Sequence, residues 1–247
     1  MYINTEGIVL RQTKTAGGRR MINLLTGRYG KIGAGTSINE GGKTKAALAL
    51  RPFSHGRYDI YKRGENYNIS GAEVLQSFFS IGEDLDRFMS ASYVLELTDR
   101  LLPDGQPSPA VFNLLLDFLS CIEKRKSAFG TLLIAYQLKL LALSGCAPVL
   151  DRCTRCGCDG PLKRFSISDG GLLCGNCLNE RDLAGGLSFP FNAESAKALG
   201  YMQTHSLASL EKLALSETIE GPASLVMKEY ISHHLGISNL RSEKMDI

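Results

Sequence analysis

Four of the seven cysteines stand in two tight pairs, Cys153-Thr154-Arg155-Cys156 and Cys174-Gly175-Asn176-Cys177, with seventeen residues between them. A C-x2-C turn points two thiolates at one ion, and two such turns supply the four soft donors of a tetrahedral zinc site. Seven is an odd count, and in a reducing compartment paired cysteines at this spacing read as metal ligands rather than disulfides. One structural Zn2+ per chain is therefore expected on Cys153, Cys156, Cys174 and Cys177. Cys158 offers a competing thiol, but the C-x2-C geometry is better matched and Cys158 is expected to be a bystander in the loop. Cys121 and Cys146 lie on apolar helical stretches and read as small core residues.

Four thiolates close the metal shell, whereas a catalytic zinc keeps an open position with a general base nearby. Zinc deaminases also need an H-x-E element, and none of His55, His205, His233 or His234 has a glutamate two residues later. Other apparent motifs fail on spacing. Gly42-Lys43-Thr44 resembles the end of a phosphate-binding loop, but the position that must be its first glycine is Ser37. Gly33-Ala34-Gly35 lacks the third glycine of a dinucleotide fingerprint. The expectation is a protein with no catalytic site.

The charge is unevenly shared. Residues 1–80 hold twelve Lys and Arg against five Asp and Glu, which gives +7 and leaves −4 for the rest of a chain whose net charge is +3. A basic third on a nearly neutral body is the asymmetry of a domain that meets a polyanion. The cations are interleaved with Tyr29, Phe53, His55, Tyr58, Tyr61 and Tyr67. Cations that hold phosphates beside rings that stack on bases are what single-strand binding requires. The DNA contacts expected are Arg11, Arg19, Arg20, Lys31, Lys43 and Lys45, with Phe53 in the core and some of the tyrosines exposed.

The elements that must position these groups change character near residue 81. Before it, Ile8–Leu10, Met21–Leu25, Lys31-Ile32, Tyr58–Tyr61 and Tyr67–Ile69 are short β-rich runs separated by glycines. Five such runs in so short a stretch predict a small closed or partly closed barrel. After it, apolar residues recur at helical spacing: a run from Leu85 to Leu102, a second opened by Ser108-Pro109, and a third over 128–144. Helical pattern resumes over 192–204, 206–215 and 222–235. Between these groups, Asp169-Gly170 separates two short apolar runs, a strong hairpin signal inside the cysteine segment. The expected organisation is α+β and multidomain. An OB-fold barrel spans 1–80, and an all-α helical domain spans 81–148 and 181–247. A four-cysteine zinc ribbon is inserted in that domain at 149–180. No apolar run is long enough to span a bilayer, and the N-terminus lacks the pattern of a signal peptide, so a cytoplasmic location is expected.

The pieces resemble a known family. Gly7-Ile8-Val9-Leu10-Arg11, Leu24-Leu25-Thr26, Gly30-Lys31-Ile32 and Leu50-Arg51-Pro52-Phe53-Ser54 are similar, in order and spacing, to the N-terminal barrel of the RecO recombination mediators. Leu138 to Pro148, leading into the first cysteine pair, resembles that family's helical domain and zinc module. Two stretches depart from the family pattern. Thr15 to Arg20 lacks its acidic residue, and the basic loop after the third strand is diluted at Ser37 to Lys45.

The resemblance implies a nucleoid-associated protein of recombinational DNA repair that anneals complementary single strands. With the partner RecR it would help RecA displace the single-strand-binding protein SSB. It also implies that the helical domain takes the acidic, hydrophobic tail of SSB, with Lys124, Arg125, Lys126 and Lys139 as rim cations. The rival readings are a zinc-ribbon adaptor in transcription or translation that uses the barrel for RNA, and a metalloenzyme.

Overall fold

The computed structural model describes residues 1–15, 19–38, 44–183 and 187–242. The chain divides into two compact units, Met1–Lys124 with Asn239–Ile247, and Arg125–Ser238.

In the first unit, β1 (Tyr2–Lys14), β2 (Arg20–Thr26), β3 (Gly30–Thr36), β4 (His55–Arg63) and β5 (Asn66–Gln76) close a barrel in the order β1-β2-β3-β5-β4. Among the described strands of the barrel, β3 and β5 are the pair that runs parallel, with Ala34 opposite Tyr67. The five expected β segments all fall inside these strands, and the order is that of an OB-type barrel. The strands form because alternate residues are apolar and turn inward. Ile3, Val9, Ile22, Leu24, Ile32, Tyr58, Ile60 and Ile69 meet in one buried cluster. The short helix α1 (Lys45–Ala49) is capped by the Thr44 hydroxyl, which accepts the Ala47 N–H at 3.2 Å. It gives Ala49 to the same cluster, and the buried Tyr58 hydroxyl donates to the Ala49 carbonyl at 2.5 Å.

Helix α2 (Leu85–Leu101) is capped by Asp84, which accepts the Arg87 N–H at 2.9 Å. Helix α3 (Pro109–Lys124) begins on its proline, where a missing N–H costs nothing. The C-terminal stretch is tied to α2 through Glu96, whose carboxylate accepts the Arg241 N–H and the Ser242 N–H and hydroxyl, each at 3.0 Å. Phe53 is not part of the barrel core. It is half-buried, with φ of 68°, and meets Phe88 edge-on with ring centroids 5.7 Å apart.

The second unit contains α4 (Phe129–Leu143), β6 (Leu162–Ser166), β7 (Gly171–Cys174), α5 (Glu180–Leu183), β8 (Ser188–Pro190), α6 (Ala193–Thr204) and α7 (Glu217–Leu235). Its small sheet has the order β7-β6-β8. Two expectations fail here. Residues 206–215 form only a 3-10 turn at Ala208–Leu210, and three of their carbonyls turn to a side chain. The Arg125 guanidinium donates to the carbonyls of Leu210 at 3.2 Å, Glu211 at 3.1 Å and Leu213. The last helix starts at Glu217, not 222, so Pro222 lies inside it. Gly221 precedes that proline and has no Cβ to meet its ring. Among the described residues, no helix is long and apolar enough to cross a membrane.

Candidate metal centre and nucleic-acid interface

The cysteine segment folds as its turn residues dictate. Asp169-Gly170 makes the β6–β7 turn, with Gly170 at φ of 77°. The segment before the first pair then lies along β7. The Val149 N–H donates to the Gly170 carbonyl at 2.9 Å, and the Val149 carbonyl accepts the Leu172 N–H at 3.0 Å. That approach leaves no room at Gly171, where a Cβ would stand 2.2 Å from the Val149 carbonyl oxygen. The first cysteine turn closes when the Gly157 N–H reaches the Cys153 carbonyl at 2.8 Å. Cys174 ends β7, and Cys177 ends the 3-10 turn that follows it.

These turns bring the Sγ atoms of Cys153, Cys156, Cys174 and Cys177 within 4.8 Å of one another. The Cys156 and Cys174 sulfurs are 3.7 Å apart. A zinc–sulfur bond of about 2.3 Å gives a tetrahedron with an edge of about 3.8 Å, so the thiols are spaced to hold a metal ion. Burial alone would raise the Cys153 thiol, but the backbone N–H groups of Cys174, Cys156 and Arg155 point at it and bring it down to about 6. Cys153 and Cys174 are buried, Cys177 is half-buried and Cys156 is exposed. Cys121 is a buried core residue as expected, whereas Cys146 is only half-buried.

Arg155 clasps the two turns together. It forms a bidentate pair with Asp169 at 3.0 and 2.8 Å, a second with Asp182 at 2.8 and 3.0 Å, and donates to the Cys177 carbonyl at 2.8 Å. The guanidinium holds both carboxyls below the usual carboxylate range. Nothing in the spacing of Arg155, Asp169 and Asp182 announces this clasp.

The described residues among the expected DNA cations differ in their surroundings. Lys31 is sealed in, with Nζ 3.4 Å from both Asp99 and Asp104 and donating to the Asp99 carbonyl at 2.5 Å. Arg11 is half-exposed and stands 3.6 Å from Asp99. Arg20 is buried and donates to the Ile38 carbonyl, so its fixed position withdraws it from any phosphate. Lys45 is exposed at the start of α1, and Lys43 lies outside the described residues.

Arg19 is exposed and lines a polar groove of about 510 Å³ with Tyr61, Arg63, Asn66 and Asn68. Its guanidinium donates to Asn68 and lies flat over Gly35, where a Cβ would come within 2.9 Å of Nε. Beside the groove, Tyr2 pairs with Tyr61 across β1 and β4, and both rings are exposed. Lys62 sits 5.0 Å from the Tyr67 ring centroid. Tyr58, by contrast, is fully buried. The residue pattern did not single out Tyr2, Arg63, Asn66 or Asn68. The signal was the alternation of Tyr61 and Arg63, which places both on one side of a strand.

Of the four cations expected for the SSB tail, Lys124 and Lys126 are exposed. Arg125 is not a rim cation: it is buried, donates to the carbonyls named above and also to Ser127 at 2.8 Å. Lys139 is half-buried, with burial lowering its pKa, and donates to the Gln203 carbonyl at 3.4 Å.

Two family models match the chain, Recombination protein O N terminal over residues 1–78 and Recombination protein O C terminal over residues 82–244. The chain belongs to the recombination protein O family. A DNA repair protein RecO of Alkaliphilus metalliredigens is 32% identical over 98% of this chain and 97% of its own length. One from Caldanaerobacter subterraneus is 30% identical over 95% of this chain and 93% of its own. A third RecO, from Anaeromyxobacter dehalogenans, is 30% identical over 95% and 92%. The OB-type barrel and the helical, cysteine-bearing remainder thus fall on the two halves of this family.

Proposed function

We propose that this protein acts in DNA repair and homologous recombination as a mediator that binds single-stranded DNA and anneals complementary strands. It makes and breaks no covalent bond. With RecR it assists RecA in loading onto SSB-coated DNA. The division of labour follows the sequence boundaries. Residues 1–80 hold the strand, 81–148 and 181–247 carry the partner surfaces, and 149–180 form a module folded around structural zinc on Cys153, Cys156, Cys174 and Cys177. Bound there, zinc supplies cross-linking of the two turns and no chemistry toward a substrate.

The observation that carries this reading is the barrel groove, on a chain of this family: two arginines, Arg19 and Arg63, flank Tyr61 with Tyr2 alongside, and asparagine amides sit between them. Cations hold phosphates and exposed rings stack on bases, without reading sequence. Arg11 and Lys45 remain as outlying contacts, and Lys43 stays in the proposal on sequence alone. Arg20 and Lys31 serve the barrel instead. For the SSB tail, Lys124, Lys126 and Lys139 remain the proposed cations.

The test is annealing of SSB-coated complementary strands by the purified protein, with and without RecR. Acceleration that depends on this protein supports the proposal. Annealing of naked strands that stops when SSB is present would reduce it to DNA binding alone.

A further inference from the structure

Cys158 is held close to the four-thiol site. Its carbonyl accepts the Cys153 N–H at 2.8 Å, so its backbone is locked to the first cysteine turn. Gly157, at φ of 74°, turns the chain back to make that bond. The Cys158 thiol stands outside the four that lie within 4.8 Å of one another. It packs, half-buried, against the cluster of Cys153, Leu173 and Cys174. Cys156, the ligand that Cys158 adjoins, is the one exposed thiol of the four. Zinc sites accept cysteine pairs separated by two to four residues. Cys153-x2-Cys156 and Cys153-x4-Cys158 both satisfy that rule.

We propose that the metal site has a spare ligand, and that Cys158 takes the place of Cys156 when the Cys156 thiol is lost or blocked. The inference rests on the four-thiol reading above and extends it to a second donor set, Cys153, Cys158, Cys174 and Cys177. The exchange needs only the Cys158 side chain to swing into the cluster, because its backbone is already fixed to the first cysteine turn by a hydrogen bond. Its consequence is that the most exposed, most easily modified ligand is also the dispensable one. The metal then survives damage at Cys156 that would eject it from a plain four-cysteine site.

The experiment measures zinc content, and the absorption spectrum after cobalt substitution, on the full chain and on Cys156→Ser, Cys158→Ser, Cys156→Ser with Cys158→Ser, and Cys153→Ser. The expected result is about one metal per chain with four-sulfur coordination in the wild type and in each of the first two variants. The double variant and Cys153→Ser should lose most of their metal, since nothing replaces a buried ligand. Loss of metal in Cys156→Ser, or a three-sulfur spectrum shared by it and the double variant, overturns the spare ligand while leaving the four-thiol reading intact. A wild type without zinc overturns both.

Should Cys156→Ser fail to fold, wild type and Cys158→Ser are treated with limiting N-ethylmaleimide and weighed by native mass spectrometry. Chains alkylated at Cys156 should keep zinc in the wild type and lose it in Cys158→Ser. Equal loss in the two would again overturn the proposal.

Discussion

The barrel and the cysteine module reach a fixed structure by different means. The barrel closes over eleven buried apolar residues drawn from all five strands, α1 and its C-cap Leu50. Period-2 alternation places them there, so its stability is spread over many small contributions. Around the thiols of the cysteine module the buried cluster is Cys153, Leu173 and Cys174, the hairpin's Phe165, Ile167 and Leu172 being buried besides, and one arginine between two aspartates ties the turns together. The turns that carry the cysteines bury so little apolar area of their own that they need a metal or a staple. The contrast teaches where each region is vulnerable: the barrel to loss of volume, the module to loss of a ligand.

The largest expected effect follows from that contrast. Structural zinc supplies on the order of 10 kcal/mol to the fold it binds, so Cys174→Ser should release the metal. Hydrogen exchange should then show 149–180 opened while the barrel amides of β1 to β5 stay protected. Exchange that spreads through the barrel would break the comparison. Next comes the reverse cut. Truncating Ile60, fully buried among the strands, to alanine should cost about 2–5 kcal/mol and leave zinc content unchanged. A loss of zinc in Ile60→Ala would mean that the two regions fold as one.

Arg155→Ala sharpens the comparison within the module. It strips Asp182, whose side chain is only 9% exposed, of its bidentate partner. An unsatisfied buried acceptor costs about 1–3 kcal/mol. The variant should still bind zinc but surrender it to a competing chelator faster than wild type does. An unchanged release rate would show that the thiols alone position the site.

Smaller again, in free energy per residue, are the groove cations. Reversing Arg19 and Arg63 to glutamate should weaken single-strand binding. It should also flatten the dependence of log K on log salt by about 0.7 for each phosphate that the protein no longer neutralises. The fold should be unchanged, since both side chains are exposed. Unaltered affinity and slope would remove the strand from this groove.

What could be read from the residues, and what could not, divides by distance along the chain. Local signals held: the alternation of the five strands, the Asp169-Gly170 turn, Pro109 opening its helix, and the paired cysteines. What escaped were partnerships between distant residues. Lys31 looks like a surface cation until Asp99, sixty-eight residues away, is placed beside it. Arg125 looks like a helix-end charge until the carbonyls of Leu210, Glu211 and Leu213 are placed around its guanidinium. Phe53 carries the composition of a core residue but sits in a left-handed turn that composition does not announce. Within the candidate groove, charge and aromatic content were legible, but the register that sets Tyr2 against Tyr61 was not.

The tie between α2 and the C-terminal stretch depends on pH. Burial pushes the Glu96 carboxyl up, but the Arg241 and Ser242 N–H groups, the Ser242 hydroxyl and the Arg100 guanidinium outweigh it and hold the group below the usual carboxylate range. A carboxyl depressed in the folded state stabilises it at pH above its unfolded value. That contribution is lost as pH falls through the folded value, because protons then bind both states alike. Glu96→Gln keeps the shape but removes the charge and turns one of the two accepting oxygens into a donor, so the difference between wild type and variant reports the charge together with that acceptor. The difference should be about 1 kcal/mol or less at pH 7, stay level down to about pH 5, and fade below about pH 4. Denaturant unfolding of the two proteins at matched pH, followed by a probe in the barrel unit, measures it. A difference that persists undiminished at pH 3 would assign the tie to shape rather than charge.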